Sequence, residues 1–212
     1  MKKNFLTILL RIRNENLFLE SFIKHYFAEG VDEIYILDDN STQPFPKIVE
    51  DERVFIYEAT TFKSHHEKLY DSQMLYNHLL RDKTEWFMFV DADEFITTRR
   101  NANKTIREEL ETTFKDADLI KIPWIMFGSN GQDENPKQVL TDTIWRWNHD
   151  KKHPHPKEAM KIWKHRCCKY DKIEVKSIFK TEAFAKLTTH CPSDPTRKIN
   201  IVDGVDNIQN YM

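Results

Sequence analysis

Trp86-Phe87-Met88-Phe89-Val90-Asp91-Ala92-Asp93-Glu94-Phe95 is an apolar run that stops at three carboxylates. Bulky apolar residues in unbroken succession, Trp86 to Val90, suit a strand covered on both faces, as in the middle of a parallel sheet. The acids then fall at its carboxyl end, where open α/β sheets bind their ligands. Alternate side chains of an extended segment share a face, so Asp91 and Asp93 can project the same way, with Ala92 leaving room between them. Two hard oxygen donors on one side suit magnesium or manganese, which keeps its other positions for water and phosphate oxygens. The same residues serve equally as a turn or as the cap of a following helix, so the motif takes its meaning from its surroundings.

Upstream, the chain alternates strand and helix. Phe5–Ile12 reads as a buried strand ending in Arg11, Arg13 and Glu15. Phe18, Leu19, Phe22, Ile23, Tyr26 and Phe27 recur at three-to-four spacing and predict a helix over 15–29, with Gly30 placed to end it. Glu33–Leu37 is a second strand that closes in Asp38-Asp39-Asn40-Ser41, and beyond Pro44 and Pro46 Arg53–Tyr57 is a third. Ser64–Arg81 reads as a second covering helix leading into the strand at Trp86. Such alternation builds right-handed parallel units, and it puts charged residues at the ends of the first, second and fourth strands. Those ends are expected to line one crevice.

Downstream, Thr105–Phe114 is expected as a surface helix, Leu119–Phe127 as a strand and Gly128–Pro136 as an exposed loop. Val139–Trp147 alternates in part, and His149–Lys157 reads as an irregular loop. Lys172–Lys180 is expected as a late strand, Glu182–Leu187 as a helical turn, and the stretch from Ile199 as a tail or the start of a linker. The expected class is therefore α/β: a single Rossmann-like domain with a mostly parallel central sheet flanked by helices.

With 212 residues, the chain is long enough for one substantial core. A formal charge of −2 gives no basic excess for nucleic acid or an anionic membrane, which leaves a small molecule or a glycan as the expected partner. Three cysteines, Cys167, Cys168 and Cys191, match neither a disulfide framework nor a paired zinc motif. The apolar run Phe5–Leu10 is shorter than a signal core, and no run approaches a membrane span. The chain reads as soluble and cytoplasmic.

Three pieces taken together, Arg11-Ile12-Arg13-Asn14-Glu15, Ile36-Leu37-Asp38-Asp39-Asn40-Ser41 and Phe89-Val90-Asp91-Ala92-Asp93-Glu94-Phe95-Ile96, resemble the nucleotide-binding half of GT-A fold glycosyltransferases. The resemblance is to the family-two and family-ninety-two-like groups. Trp124 to Gly131 and Lys176 to His190 fit the latter group's pattern, so the similarity spans about 6–190. It implies a GT-A-like domain over 1–198, with a nucleotide half to about 96 and an acceptor half from 97, before the tail at 199–212.

What it implies for function is specific. The donor would be a nucleoside-diphosphate sugar, UDP-linked, and the acceptor a glycan, glycoprotein or other hydroxyl. Mn2+ or Mg2+ would be held by Asp91 and Asp93, with His190 as a third, imidazole ligand. Asp39 would accept hydrogen bonds from uracil or ribose with Asp38 as its neighbour, Arg11 would contact the nucleotide, and Arg13 could address the diphosphate through a forked donor pair. Lys63, His65, His66 and Lys68 would face the donor crevice, and Lys176 has similar standing. Each has a plainer reading: a turn for Asp38–Ser41, ion pairs with Glu15 for the arginines, a solvated charge cluster for the lysines and histidines, and a structural role for His190.

The family-two group inverts configuration by direct displacement, which needs a carboxylate to take the acceptor's proton. Asp133 is the chosen candidate, with Glu134 and Glu158 as alternatives. The sequence departs from the related pattern at Gln132, where a histidine is usual. Trp124, Trp145 and Trp147 could stack on sugar faces or simply pack. Two other classes stay in view: a haloacid-dehalogenase-like phosphohydrolase, which also ends a strand in Asp-x-Asp, and a domain that binds nucleotide sugar or glycan without turnover. The first normally carries the motif on its first strand with a following Thr, where this chain has Phe95 after a fourth strand. A nucleotidyltransferase would need a glycine-rich loop where Leu9–Arg13 has none.

Overall fold

The computed structural model describes residues 3–60, 65–98, 103–125, 127–128, 131, 133–136, 139–143, 168–169, 172–173 and 175–204. Its elements are β1 (Asn4–Ile12), α1 (Asn16–Ala28), β2 (Glu33–Asp38), β3 (Val54–Glu58), α2 (His65–Leu75), β4 (Thr84–Phe89), α3 (Ile106–Glu111), β5 (Leu119–Pro123), α4 (Val139–Asp142), β6 (Cys168–Lys169), β7 (Lys172–Ile173), β8 (Val175–Lys180), β9 (Phe184–Lys186), β10 (Ser193–Pro195) and β11 (Ile201–Asp203). The central sheet has seven strands in the order β11-β5-β8-β4-β1-β2-β3. Neighbours from β3 to β4 run parallel, as do β5 and β11, while β8 is antiparallel to both β4 and β5. The expected α/β architecture is the observed one.

Unbroken apolar runs are what a sheet covered on both faces requires. Leu6, Ile8 and Leu10 of β1 join Phe22, Ile23 and Tyr26 of α1 on one side, together with Trp86 and Met88. Leu9 and Phe87 face the other side, with Tyr76 and Leu80 from the wider turn that prolongs α2. At Gly30, φ is +89° and an added Cβ would lie 2.6 Å from the Cβ of Arg107, so both the turn and the close approach of α3 need glycine. Thr105 and Glu108 cap α3 reciprocally.

Several expectations needed correction. The strand expected over 119–127 stops at Pro123, which has no N–H to extend the ladder and pairs with Val175 at the end of β8. Val139–Asp142 forms one helical turn rather than the start of an alternating segment. The turn expected over 182–187 spans Thr181–Ala183, and the chain then extends as β9, paired with β10. The stretch from Ile199 supplies the edge strand β11, registered on Leu119–Lys121, so its early part belongs to the sheet.

Asp118 holds that late strand in place. Its buried carboxylate accepts from Arg197 Nη1 and Nη2 at 2.9 and 2.8 Å and from the Asn200 N–H at 2.9 Å. Burial alone would raise its pKa, but the guanidinium and the backbone donor outweigh it and hold the group below the ordinary carboxylate value. A depressed folded pKa gives stability that is present above the unfolded value and is lost as pH falls through the folded one, here below about 4. Asp118→Asn is therefore expected to cost about 2 kcal/mol at neutral pH and to flatten the acid limb of melting temperature against pH. A melting series from pH 6 to 2.5 on both proteins checks this; parallel curves would refute it.

Candidate active site

Strand order reverses about β1, with β2 and β3 on one side and β4 on the other. A crevice opens at such a switch point, outside the carboxyl ends of the strands. Because β8 runs antiparallel, its amino end reaches the same edge and adds Val175 and Lys176 to the crevice.

On the β1–β2 side, Arg11 Nη2 lies 3.2 Å from Asp39 Oδ2, and Nη1 lies 3.7 Å from Asp71 Oδ2. Arg11 Nη2 also donates to the Thr60 carbonyl at 3.4 Å, and Asp71 in turn accepts from the Thr60 N–H and hydroxyl at 2.8 and 3.1 Å. Arg11 thus meets acids from the end of β2 and from α2, whereas the sequence suggests Glu15. Asp39 is buried, and its N–H donates to the Ile12 carbonyl at 2.8 Å. Asp38 takes the turn role, its Oδ1 accepting from the Ser41 N–H at 3.0 Å. Asn14 Oδ1 accepts from the N–H groups of Thr42 and Gln43 and so ties the loop after β1 to the loop after β2. Arg13 is exposed and makes no hydrogen bond or ion pair with the described residues.

β4 ends at Phe89, and Asp91–Glu94 form a turn closed by the Glu94 N–H on the Asp91 carbonyl at 3.0 Å, so the two aspartates do not lie on the extended segment that their spacing suggests. Ala92 is buried in the core, while Asp91 and Asp93 are exposed at the mouth. Glu94 turns back, and its Oε2 accepts from the Asp91 N–H at 2.8 Å. From α1, the Tyr26 hydroxyl donates to the Glu94 carbonyl at 2.9 Å and accepts from the Ile96 N–H at 3.1 Å, which fixes the acidic turn on a rigid helix.

The carboxylates crowd one another. Burial, and after it the charge of Asp91, raises the pKa of Asp93. Burial, then Asp93 and Asp91, raises that of Glu15. Burial pushes Glu94 up to about 7 even though Lys176 beside it pulls the other way. Lys176 is buried; its ammonium lies 2.9 Å from Asp91 Oδ2, 3.2 Å from Glu94 Oε2 and 3.0 Å from the Thr189 carbonyl. His190 Nδ1 is 3.1 Å from the Val175 carbonyl, and its ring centroid is 5.6 Å from that of Trp124. The indole nitrogen of Trp124 is buried without a hydrogen-bond partner among the described residues.

The sequence matches the model of glycosyltransferase family 92 over residues 13–203. The chain belongs to glycosyltransferase family 92.

Family membership sets aside the phosphohydrolase reading, and this family 92 chain has the mostly parallel α/β sheet expected of it. It is similar to solved structures of low identity. Glucosyl-3-phosphoglycerate synthase from Mycobacterium tuberculosis, in complex with Mn2+, UDP and glucosyl-3-phosphoglycerate, is 14% identical over 87% of this chain and 59% of that one, with a TM-score of 0.45. S. aureus TarS is 18% identical over 63% of this chain and 23% of that one, at 0.44. The mannosyltransferase PcManGT from Pyrobaculum calidifontis, in complex with GDP-Man and Mn2+, is 16% identical over 57% of this chain and 36% of that one, at 0.39. This chain spans less than two thirds of the length of each. No curated protein matches the sequence significantly.

Of the residues expected in the glycosyltransferase site, Arg11, Arg13, Asp38, Asp39, Asp91, Asp93 and Lys176 lie at strand ends on the crevice edge. Among the described residues no three His, Cys, Asp or Glu side chains converge to hold an ion, so His190 does not complete a three-ligand cluster with the two aspartates. The backbone of His65 begins α2, but its side chain, like those of His66 and Lys68, lies outside the described residues, as do Lys63, Gln132, Trp145, Trp147 and Glu158. Asp133 and Glu134 are exposed. Among the described residues, no helix is long and apolar enough to cross a membrane.

Sequence reasoning passed over Glu15, Glu94 and Asp71 as site residues. The first two stood inside the quoted motifs and could have been weighed as acids. Asp71 carried no signal, because only the packing of α2 brings it to Arg11.

Proposed function

We propose that this enzyme takes a sugar from a UDP-linked donor, with Mn2+ or Mg2+ held at Asp91 and Asp93, and passes it with inversion to a hydroxyl of a glycan or glycoprotein. The observation that carries this reading is the pair of carboxylates, Asp91 and Asp93, set at the mouth just past the carboxyl end of β4 and beside the reversal of strand order, where burial and then the charge of Asp91 raise the pKa of Asp93. A divalent cation relieves that repulsion, and a donor set of carboxylate oxygens fits Mg2+ or Mn2+. With no third side chain convergent, diphosphate and water oxygens would complete its coordination. His190 Nδ1 lies against the Val175 carbonyl, which gives the imidazole a structural role in holding its segment to β8. When bound, the ion supplies Lewis-acid stabilisation of the charge that grows on the departing diphosphate.

The chain's own residues divide the remaining tasks. Asp39, oriented by Arg11, accepts from the uracil or ribose. Asp38 shapes the turn beside it. Arg13, exposed at the same edge, addresses the diphosphate, and His65 at the start of α2 borders the donor. In the transfer step the acceptor oxygen attacks the anomeric carbon as the bond to the diphosphate breaks, and Asp133 takes the acceptor's proton.

Calorimetric titration of UDP with Mn2+ and then with excess chelator tests the donor and the ion together. Binding is expected with the metal and not with the chelator, and Asp39→Ala is expected to weaken it about tenfold. An absence of UDP binding in both conditions would remove the UDP-linked donor.

A further inference from the structure

Lys176 sits at the amino end of β8 with its side chain only 5% exposed. An ammonium carries three N–H donors. Those of Lys176 face Asp91 Oδ2 at 2.9 Å, Glu94 Oε2 at 3.2 Å and the Thr189 carbonyl at 3.0 Å, with the Trp124 ring centroid 5.9 Å away. With these three acceptors in place, none of its donors is left for a phosphate oxygen. Its charge also bears on the carboxylate that the proposed function gives to the divalent ion. A fixed positive charge beside Asp91 opposes a second cation there. The diphosphate of a donor brings negative charge that offsets this opposition.

We propose that Lys176 is a positioning residue that, by holding Asp91 and Glu94, makes divalent-ion binding conditional on the donor's diphosphate. Its bond to Thr189 extends the hold to the residue preceding His190, so one ammonium ties the acidic turn after β4 to the segment that bears the imidazole. The device rests on the reading of Asp91 as an ion ligand, and it assigns Lys176 to the ion's affinity rather than to direct contact with the nucleotide.

The test is calorimetric titration of Mn2+ into the wild type, Lys176→Met and Lys176→Arg, first without nucleotide and then with UDP. Lys176→Met is expected to bind Mn2+ alone about tenfold more tightly than the wild type and to gain less from UDP. Lys176→Arg keeps the charge and is expected to keep the weak binding of Mn2+ alone. Binding by folded Lys176→Met that is no tighter than that of the wild type overturns the proposal.

A second readout needs no substitution. The ammonium resonance of Lys176 in nitrogen-labelled protein is expected to shift with Mg2+ and UDP together and to stay in place with Mg2+ alone. An equal shift in both cases overturns the proposal, and this holds even if Lys176→Met does not fold. Loss of the underlying donor reading looks different: the wild type would then bind no Mn2+ even with UDP, and the proposal would fall with it. UDP-dependent Mn2+ binding in the wild type, unchanged in Lys176→Met, would remove the proposal alone.

Discussion

Asp93→Ala is expected to lower the transfer rate about a thousandfold while the melting temperature stays level or rises slightly. The two halves of that expectation have one cause. Asp93 keeps solvent access at the crevice mouth, but the protein packed around its carboxyl group, and then the charge of Asp91, raise its pKa. A carboxyl group whose folded pKa lies above its unfolded value holds its proton longer in the folded chain, so its contribution to stability falls as pH rises through the window above 3.8. At neutral pH its removal relieves repulsion rather than breaking a support. A stabilising Asp93 would give the opposite pattern, with activity lost only in step with the fold. Initial rates at saturating Mn2+ beside melting curves for both proteins separate the cases. Retention of more than about a tenth of the transfer rate would end the assignment of the ion to Asp93.

Asp133→Asn is expected to lower kcat about a thousandfold with donor affinity unchanged, because a base acts on the acceptor's proton and not on the nucleotide. Asp133 lies exposed in a loop, and its surroundings do not mark it off from Glu134. Glu15 is therefore the informative comparison. Its pKa is raised by burial, Asp93 and Asp91, in the direction that suits a base working near neutrality. If Asp133→Asn transfers normally and Glu15→Gln does not, the proton goes to Glu15. Steady-state kinetics of the two variants, with UDP titrations as control, decides between them.

Local chemistry is why the first half of the fold was legible. Apolar runs too continuous for a half-exposed strand mark β1, β2 and β4, three-to-four spacing marks α1, and Gly30 ends it where φ turns positive. Strand ends follow from strand limits, so Arg11, Asp39, Asp91 and Asp93 fell on one edge. Pairing across long stretches of sequence leaves no such mark. Nothing in the periodicity of Val175–Lys180 says that it runs antiparallel between β4 and β5, or that Ile201–Asp203 returns to β5. The site shows the same division. The position of Lys176 near the crevice was anticipated, but its burial and its bonds to Asp91 and Glu94 depend on that antiparallel insertion. The partners of Arg11 depend likewise on how α2 packs.

The insertion of β8 also governs the order in which the protein can be completed. β4 and β5 do not pair with each other; both are held by β8, with Trp86 opposite Lys180 and Leu119 opposite Phe179. A nascent chain emerging from the ribosome can assemble β1 to β4 early, but the open edge of β4 must wait for β8. Contacts of such long sequence separation form late, and an unpaired apolar edge is prone to join another chain in the meantime. The strand that closes this edge also brings Lys176 to Asp91, so the crevice takes its shape in the same event that covers the open edge of β4.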